Sequence, residues 1–314
     1  MGEKIEFGVH LAPEGLDFNE MKRCCLAAEE SGYSFFTVTD HFQNMTNPDG
    51  KTGHPLEAWT LLGGLAAVTS KIKLGTLVSC VYYRHPTILA KMATTLDIIA
   101  GGRTIFGVGA GWHQKEFEGF LGKLPPVKER LDALEDALNI CKSMFVNERT
   151  TYRGKVFSAN NTLNSPLPIQ RPIPIMVGGF GLKRTLKLAA KYADISHFAF
   201  GHFESREIVL QRIDALKKHC KEVGRDYDEI TKSMSFSANF NPTQEELEEN
   251  AKRASVRRNI PLEEARKIII ASTRPEEFLD RIRSYVDLGV TMFLMVIKTE
   301  RDIRLFAEKV MRKI

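Results

Sequence analysis

Residues 73–109 read KLGTLVSCVYYRHPTILAKMATTLDIIAGGRTIFGVG and contain the repeating unit that determines the fold. The apolar run at 73–78 predicts a short strand, and residues 86–99 predict a helix that ends at Gly101 and Gly102. A second short apolar run follows at 104–109. A strand, a helix and a strand in this order are typical of two parallel strands joined by a helical crossover.

The same unit recurs along the chain. Predicted strands lie at 5–11, 34–39, 73–78, 104–109, 175–178, 195–200, 234–240 and 292–297. Predicted helices lie at 19–31, 56–68, 86–99, 127–145, 182–192, 205–223, 274–288 and 301–314. Eight short strands, each followed by a helix, favour a closed (β/α)8 TIM barrel of the α/β class over an open sheet. We therefore predict a single domain over residues 1–314, with its active residues at the carboxyl ends of the strands.

Two insertions interrupt the repeating pattern. After the fourth helix the periodicity weakens, and residues 151–157 predict a surface hairpin. After the seventh strand, a capping box at Thr243 and Glu246 opens a polar helix, and a short helix follows at 262–270. A further capping box, at Thr273 and Glu276, predicts the start of the next helix. We therefore expect loop insertions after helix four and strand seven rather than a second domain.

The composition is that of a globular protein with a small positive charge. Hydrophobic residues make up 43% of the 314 residues, and the formal net charge is +5. No dense basic run with interleaved aromatics occurs, so nucleic acid is not an expected partner. No apolar stretch is long enough for a signal peptide or a bilayer span, so no membrane partner is expected. The five cysteines and the histidines lack zinc or disulfide spacing, which favours a cytoplasmic protein without a metal site.

An acidic residue and a histidine stand side by side where strand two gives way to its loop. Asp40 and His41 would face the barrel mouth, where a carboxylate and an imidazole can exchange protons. The alternative is an aspartate that caps the loop and a histidine that is merely exposed.

A glycine-rich run, GVGAGWH at 107–113, follows strand four. It does not match the dinucleotide-binding fingerprint, because Trp112 occupies the position of the third glycine. Glycines at a barrel strand end would let a flat ring approach the backbone closely, whereas a plain tight turn is the alternative.

A second glycine-rich loop follows strand five. Its residues are Gly178, Gly179 and Gly181, with Lys183 and Arg184 in the first turn of the next predicted helix. Free backbone N–H groups at such a helix start can bind a phosphate, and the two cations would strengthen the attraction.

Several short motifs occur together, in order, along nearly the whole chain. They are TDHF at 39–42, LGT at 74–76, RHP at 84–86 with AK at 90–91 and TLD at 95–97, GGR at 101–103, GVGAGW at 107–112, and GG at 178–179 before KRTL at 183–186. Together they resemble the bacterial luciferase-like superfamily. Within it, the chain most resembles the branch that uses the deazaflavin coenzyme F420, because FMN-dependent monooxygenases tend to have a run such as Glu-His-His where this chain has Asp40 and His41.

The resemblance implies a role for residues on several strand ends. His41 is the predicted catalytic residue beside the reactive ring carbon, and Asp40 would bind the ring or its side chain. A non-prolyl cis peptide near Leu77-Val78 would support the face of the ring. The remaining predicted cofactor contacts are Ser79 and Cys80 along the cofactor, Ala110 and Gly111 at its ribityl chain, and Gly178, Gly179, Gly181 and Lys183 at its phosphate.

The predicted reaction is hydride transfer between coenzyme F420 and a small organic substrate, with His41 stabilising or protonating the reacting group. The alternatives are an FMN-dependent monooxygenase of the same fold and a non-catalytic flavin-binding relative. A cofactor-free lyase or hydrolase would need paired carboxylates or a lysine at strand ends, and no convincing set is present.

The sequence departs from one group of relatives that it resembles. In the related sugar-phosphate dehydrogenases a Glu acts as acid or base where this chain has Trp112, and a Trp stands where this chain has Met45. Glucose 6-phosphate is therefore not the expected substrate. Because relatives of this type commonly dimerise, the resemblance also predicts a homodimer.

Overall fold

Strands and helices alternate through the computed structural model, which describes residues 4–45, 49–200, 205–238, 240, 242–271 and 273–314. The first half contains β1 (Glu6–Leu11), α1 (Phe18–Glu30), β2 (Phe35–Val38), α2 (Ala58–Val68), β3 (Lys73–Thr76), β4 (Ser79–Cys80), α3 (Pro86–Ile99), β5 (Thr104–Gly109), α4 (Gln114–Phe120) and α5 (Val127–Met144). The second half contains β6 (Arg149–Arg153), β7 (Ser158–Leu163), β8 (Ile175–Gly178), α6 (Thr185–Tyr192), β9 (Ile195–Phe200), α7 (Arg206–Val223), β10 (Thr231–Ser237), α8 (Gln244–Arg258), α9 (Leu262–Ala271), α10 (Pro275–Val286), β11 (Met292–Val296) and α11 (Glu300–Lys309). None of the described helices has both the length and the apolarity needed to cross a membrane.

The strands close into a parallel ring. Within the described residues eight strand positions follow one another in the order β1, β2, β3, β5, β8, β9, β10 and β11, and β11 pairs with β1. The short strand β4 continues β3 and also pairs with β5. The predicted (β/α)8 barrel is therefore confirmed, and all eight carboxyl ends lie at the same rim.

Side chains on the strands alternate between two apolar layers. An inner cluster fills the barrel and consists of Phe35, Leu77, Ile105, Met176, Ile195, Met292 and Leu294. The outward-facing residues, such as Phe36, Phe106 and Phe236, pack with the helices in one large cluster. This period of two explains why the strand runs are apolar on both faces, since a barrel strand is covered by side chains inside and by helices outside.

The two insertions lie where the sequence predicts them. Strands β6 and β7 form an antiparallel hairpin after α5, longer than the predicted one. Helices α8 and α9 follow β10 and share a small apolar cluster of their own, formed by Ala251, Ala254, Ala265 and Ile269. The capping box of Thr243 and Glu246 is present at the start of α8.

Two sequence expectations for these elements are wrong, and one helix has no predicted counterpart. The box at Thr273 and Glu276 does not form, because Arg274 is the N-cap of α10 and the Thr273 hydroxyl donates to the carbonyl of Ile270 instead. Strand β10 begins at Thr231, three residues before its predicted start, since Thr231, Lys232 and Ser233 have no apolar signal. Helix α4 is not among the predicted helices, because it is short and only Glu116 and Phe117 in it are buried.

Glycines in β3 and β5 allow these two strands to approach closely. A Cβ at Gly107 would overlap the carbonyl oxygen of Thr76, and a Cβ at Gly75 would overlap the carbonyl oxygen of Ile105. In contrast, Gly63 lies in helix α2 with no heavy atom within 4 Å of its ideal Cβ position. Substituting alanine for Gly107 and for Gly63 is therefore expected to change stability in opposite directions.

Replacing Gly107 by alanine is expected to destabilise the protein by about 1–3 kcal/mol, because an added methyl group must displace backbone in a closely packed region. The matched control, Gly63→Ala, is expected to stabilise by about 0.5–1 kcal/mol, since alanine restricts the unfolded chain and favours the helix. Urea denaturation of both variants measures the two changes. Equal effects of the two substitutions would contradict the packing described for β3 and β5.

Candidate functional site

The residues predicted to bind a cofactor lie at the carboxyl ends of four consecutive strands of the ring. These ends are those of β2, of β3 with its continuation β4, of β5 and of β8. They bring together Asp40, His41, Leu77, Val78, Ser79, Cys80, Ala110, Gly111, Gly178, Gly179, Gly181 and Lys183. One half of the barrel mouth thus contains all the predicted contacts, and their individual roles stay predictions.

The peptide bond between Leu77 and Val78 is cis, as predicted. Leu77 joins the apolar cluster inside the barrel, and the Val78 side chain lies beside glycines of β5 and β8. A Cβ at Gly109 would come within 2.8 Å of Val78, and one at Gly178 within 2.9 Å. The space that these glycines leave is therefore occupied by a side chain of the protein itself.

Gly111 is glycine for two independent reasons. Its φ of +77° lies in the left-handed region, which side-chain-bearing residues rarely adopt. A Cβ there would also overlap the sulfur of Cys80 and approach the ring of Phe117. Burial raises the pKa of Cys80 to about 12, so its thiol stays protonated at neutral pH.

Asp40 is fully enclosed and its carboxylate is bound within the protein. Arg84, which precedes α3, donates to both of its oxygens, at 2.7 and 3.0 Å. The Ser79 hydroxyl donates to Oδ2 at 2.5 Å and accepts from the indole N–H of Trp59 at 3.0 Å. A buried carboxylate with bidentate and hydroxyl partners has its charge well compensated. Asp40 therefore fixes the β2, β4 and α3 segments relative to one another.

His41 is held through one ring nitrogen by a buried carboxylate. Glu116, from α4, is completely buried and lies 2.8 Å from Nδ1 of His41. Its other oxygen accepts from the backbone amides of Phe42, at 2.5 Å, and Gln43, at 3.0 Å. The Tyr83 hydroxyl donates to the same oxygen as His41 does. Glu116 therefore ties α4 to the loop after β2.

The electrostatics of this contact determine the tautomer of His41. Burial alone would raise the pKa of Glu116, but the hydrogen bonds from His41, Tyr83 and the Phe42 amide outweigh it and lower the pKa. Glu116 is thus an ionised, acceptor-only group at neutral pH, and Nδ1 of His41 must carry a proton. The second nitrogen, Nε2, has no hydrogen-bond partner in the described part of the chain, and it is available to a ligand.

Two aromatic residues after β5 adjoin His41. The rings of Trp112 and His113 each lie 5.9 Å from the His41 ring, in edge-to-face arrangements. His113 is buried and caps α4 by accepting from the Glu116 amide, whereas the Trp112 side chain is 61% exposed. An exposed tryptophan beside a polar side chain provides apolar surface that a ligand can cover.

Two other buried polar residues, His10 and Thr39, lie in β1 and directly after β2. His10, in β1, contacts the Thr37 hydroxyl through Nδ1 at 3.1 Å, and burial lowers its pKa to about 4, so it is neutral. The hydroxyl of Thr39 is buried and has no hydrogen-bond partner among the described residues. A buried hydroxyl without a partner is uncommon in proteins and marks a place where a bound group can supply one.

The glycine-rich loop after β8 offers unused backbone donors. The amides of Gly181, Leu182 and Lys183 have no acceptor in the described part of the chain, and the Lys183 side chain is exposed. Arg184 does not join them, because its guanidinium binds the Asp132 carboxylate at 2.7 Å. Of the two cations that the sequence offered for a phosphate, Lys183 alone is left near this loop.

Metal ligands are not part of this arrangement. Within the described ranges, no group of three or more His, Cys, Asp or Glu side chains could hold a metal ion.

Comparison with known proteins identifies the family. A family model described as luciferase-like monooxygenase matches residues 4–272. The chain belongs to this family. An F420-dependent glucose-6-phosphate dehydrogenase of Microbacterium testaceum is 29% identical over 308 residues, which cover 91% of this chain and 89% of the relative.

Solved structures share the same fold as this luciferase-like protein. An F420-dependent secondary alcohol dehydrogenase superposes with a TM-score of 0.81 at 20% identity and covers 98% of both chains. The coenzyme F420-dependent tetrahydromethanopterin reductase from Methanopyrus kandleri has a TM-score of 0.78 at 22% identity and covers 99% of both chains.

The hydrogen-bond partners of Asp40 and His41 in this luciferase-like barrel could not be inferred from the sequence. Glu116 lies 75 residues from His41 and Arg84 lies 44 residues from Asp40. Arg84 had a weak signal, because it belongs to the RHP motif of the luciferase-like resemblance, whereas no motif linked Glu116 to His41. Tyr83 had no signal.

Replacing Glu116 by glutamine is expected to lower the free energy of unfolding by about 1–3 kcal/mol, because one amide oxygen cannot accept all four donors and the amide N–H groups face two of them. Glu118→Gln is the matched control: Glu118 lies in the same helix but is exposed, so it should change stability by less than about 0.5 kcal/mol. Denaturation at neutral pH measures both.

The stability difference between wild type and Glu116→Gln is expected to depend on pH. Because the folded pKa of Glu116 is lowered, its stabilising contribution is complete above its ordinary value of 4.5 and is lost as the pH falls through the folded value. The stability difference between wild type and Glu116→Gln should therefore shrink in acid. A constant difference down to acid pH would show that Glu116 is not an ionised anchor.

Proposed function

We propose that this chain is a coenzyme F420-dependent oxidoreductase that transfers a hydride to or from a small organic substrate. The observation on which this depends is the imidazole of His41, held by ionised Glu116 at the carboxyl rim of the barrel. Family membership supports the proposal, as do the relatives named F420-dependent glucose-6-phosphate dehydrogenase, which match over nine-tenths of the chain.

The residues at the rim fit a deazaflavin in three respects. The free amides of Gly181, Leu182 and Lys183, with the Lys183 ammonium group, suit a phosphate. The buried Thr39 hydroxyl lacks a partner that a polar ring edge can provide. Trp112 supplies exposed aromatic surface beside His41. Leu77, Val78, Ser79 and Cys80 would support the ring, and Ala110 and Gly111 its ribityl chain.

The direct contact between Asp40 and the cofactor, which the resemblance predicts, is not part of this proposal. The protein already uses both of its oxygens, through Arg84 and Ser79. We infer that Asp40 acts on the cofactor by positioning Ser79 and the backbone next to His41.

When bound, a deazaflavin supplies a carrier that accepts or donates a hydride, a two-electron step. His41 handles the accompanying proton. With Nδ1–H donated to Glu116, neutral His41 presents a lone pair at Nε2 and can take a proton from a substrate hydroxyl. In the reverse direction the imidazolium donates that proton to a carbonyl oxygen, while Glu116 stabilises its positive charge. This pairing favours an alcohol or a carbonyl compound as the substrate.

The choice of cofactor is tested by titration. Purified protein is expected to bind coenzyme F420, seen as a change in the absorbance or fluorescence of the deazaflavin, and not FMN. The reason is the Asp-His pair after β2, in place of the residues typical of FMN-dependent members. Tight binding of FMN together with no response to the deazaflavin would reject the proposal, and oxygen consumption with reduced FMN would then point to a monooxygenase.

Replacing His41 by asparagine is expected to lower kcat by about a hundred- to ten-thousand-fold, the usual contribution of a general acid or base. Affinity for the deazaflavin should change far less, because Asn removes the proton-transfer group and not the ring contacts. The measurement is deazaflavin reduction by any alcohol that the wild type oxidises, over a range of pH.

The matched control for this variant is His85→Asn. His85 is an exposed N-cap of α3, and asparagine is also a favourable N-cap, so activity should be retained. Unchanged kcat in His41→Asn would show that His41 has no part in proton transfer.

A further inference from the structure

Tyr83 and His41 share one hydrogen-bond acceptor, the Oε2 atom of Glu116. The Tyr83 hydroxyl reaches this atom from the segment between β4 and α3, and Nδ1–H of His41 reaches it from the loop after β2. The other oxygen, Oε1, is used separately by the amides of Phe42 and Gln43. A change in the bond from Tyr83 is therefore transmitted to His41 through a single oxygen atom.

Three neighbouring rings hold the ring of Tyr83 in place. Its centroid lies 4.8 Å from that of Phe42, 5.7 Å from that of Phe117 and 6.5 Å from that of His41. These contacts fix the direction in which the hydroxyl points. Phenylalanine at position 83 would keep all three ring contacts and lose only the hydroxyl.

The Tyr83 hydroxyl keeps its proton over the whole range in which an imidazole titrates. Burial, together with the hydrogen bond to Glu116, raises the pKa of Tyr83 far above its ordinary value. The pKa of Glu116 is lowered by its hydrogen bonds, so Tyr83 is a constant donor and Glu116 a constant acceptor. Of the three groups, the imidazole of His41 is the kind that gains or loses a proton near neutral pH.

The other titratable groups around this imidazole add no uncompensated charge. His10 and Cys80 are neutral at this pH, because burial lowers the pKa of the first to about 4 and raises that of the second to about 12. His113 accepts a backbone amide of α4 through Nδ1 at 3.2 Å, so that nitrogen carries no proton. Asp40 is compensated by Arg84 at 2.7 Å. Among the described residues, the carboxylate of α4 is therefore the charged group in direct contact with the imidazole.

We propose that Tyr83 is a positioning residue that weakens the hold of Glu116 on protonated His41, and so keeps this imidazole ready to accept a proton. An oxygen that accepts one hydrogen bond has less negative charge to offer a second donor. The imidazolium loses more by this than the neutral ring does, because it carries the positive charge. The consequence for catalysis rests on the proposed function, whereas the effect on the imidazole does not.

The test measures the protonation of His41 directly, in protein without cofactor or substrate. Labelled histidine gives NMR signals that move with protonation, and the His41 signal is the one missing from His41→Asn. In Tyr83→Phe the midpoint of this titration is expected to move up by about 0.5–1 pH unit, part of the strength of one hydrogen bond to a charged group. A midpoint that does not rise would overturn the proposal.

The matched control is Tyr82→Phe. The Tyr82 ring also contacts Phe117, and its hydroxyl donates to the exposed Glu129 at 3.4 Å. This substitution removes the same group from a neighbouring tyrosine and should leave the His41 midpoint unchanged. An equal rise in both variants would also contradict the proposal, since the shared oxygen would then not be the cause. Thermal unfolding checks that both variants retain the fold.

Combining substitutions tests whether Tyr83 acts through Glu116. In a Glu116→Gln background the ionised acceptor is gone, so adding Tyr83→Phe should no longer move the His41 midpoint. The same rise in this background would show that the tyrosine hydroxyl acts directly on the imidazole, and the positioning role would be lost.

The pH dependence of activity is the second measurement. Because oxidation of an alcohol needs neutral His41, the acid limb of the kcat profile with coenzyme F420 should move to higher pH in Tyr83→Phe. A move of that size lowers the rate about three- to tenfold at a fixed pH on this limb. A raised NMR midpoint with an unmoved activity profile would overturn the proton transfer assigned to His41 and support the role of Tyr83. If no deazaflavin binds, the proposed function fails, and the NMR midpoints still decide the role of Tyr83.

Discussion

The carboxylate of Glu116 is the group on which the geometry of the barrel mouth depends. It lies out of reach of water and accepts four hydrogen bonds, from the side chains of His41 and Tyr83 and from two backbone amides. Such a buried charge is tolerated only when its lone pairs are satisfied. The same requirement that makes α4 and the loop after β2 fold together also fixes which nitrogen of His41 faces a ligand.

The barrel was predictable from the sequence because its signals are local. Short apolar runs, helices of regular period and glycines at helix ends define each unit, and the bounds of α3, β5, β8 and β9 agree with the predicted ranges. The errors occur where local signals are absent. Helix α4 has too few buried residues to show a period, and β10 turns serines, rather than apolar residues, toward the interior of the barrel.

The sequence predicted where the residues of the candidate site lie, but not which hydrogen bonds and ion pairs they form. Parallel strands place their carboxyl ends at one rim, so Asp40 and His41 had to lie near the glycine-rich loops. The ion pair of Asp40 with Arg84 and the hydrogen bond of His41 with Glu116 join residues far apart in the chain. Such pairs cannot be predicted from the spacing of residues in the sequence. The glycines of β5 were interpreted as space for a flat ring, whereas Val78 and Cys80 occupy that space. Close packing is therefore sufficient to explain why those positions are glycine.

The hairpin of α8 and α9 has an apolar cluster that is separate from the main core. Among the described residues, its four buried members belong to neither of the two clusters that line the strands, so the barrel places little constraint on which residues fill it. Natural variation can therefore accumulate in the hairpin at little cost to the scaffold beneath it. Related chains can diverge in this segment, next to the seventh strand, while the carboxyl rim of the barrel stays the same.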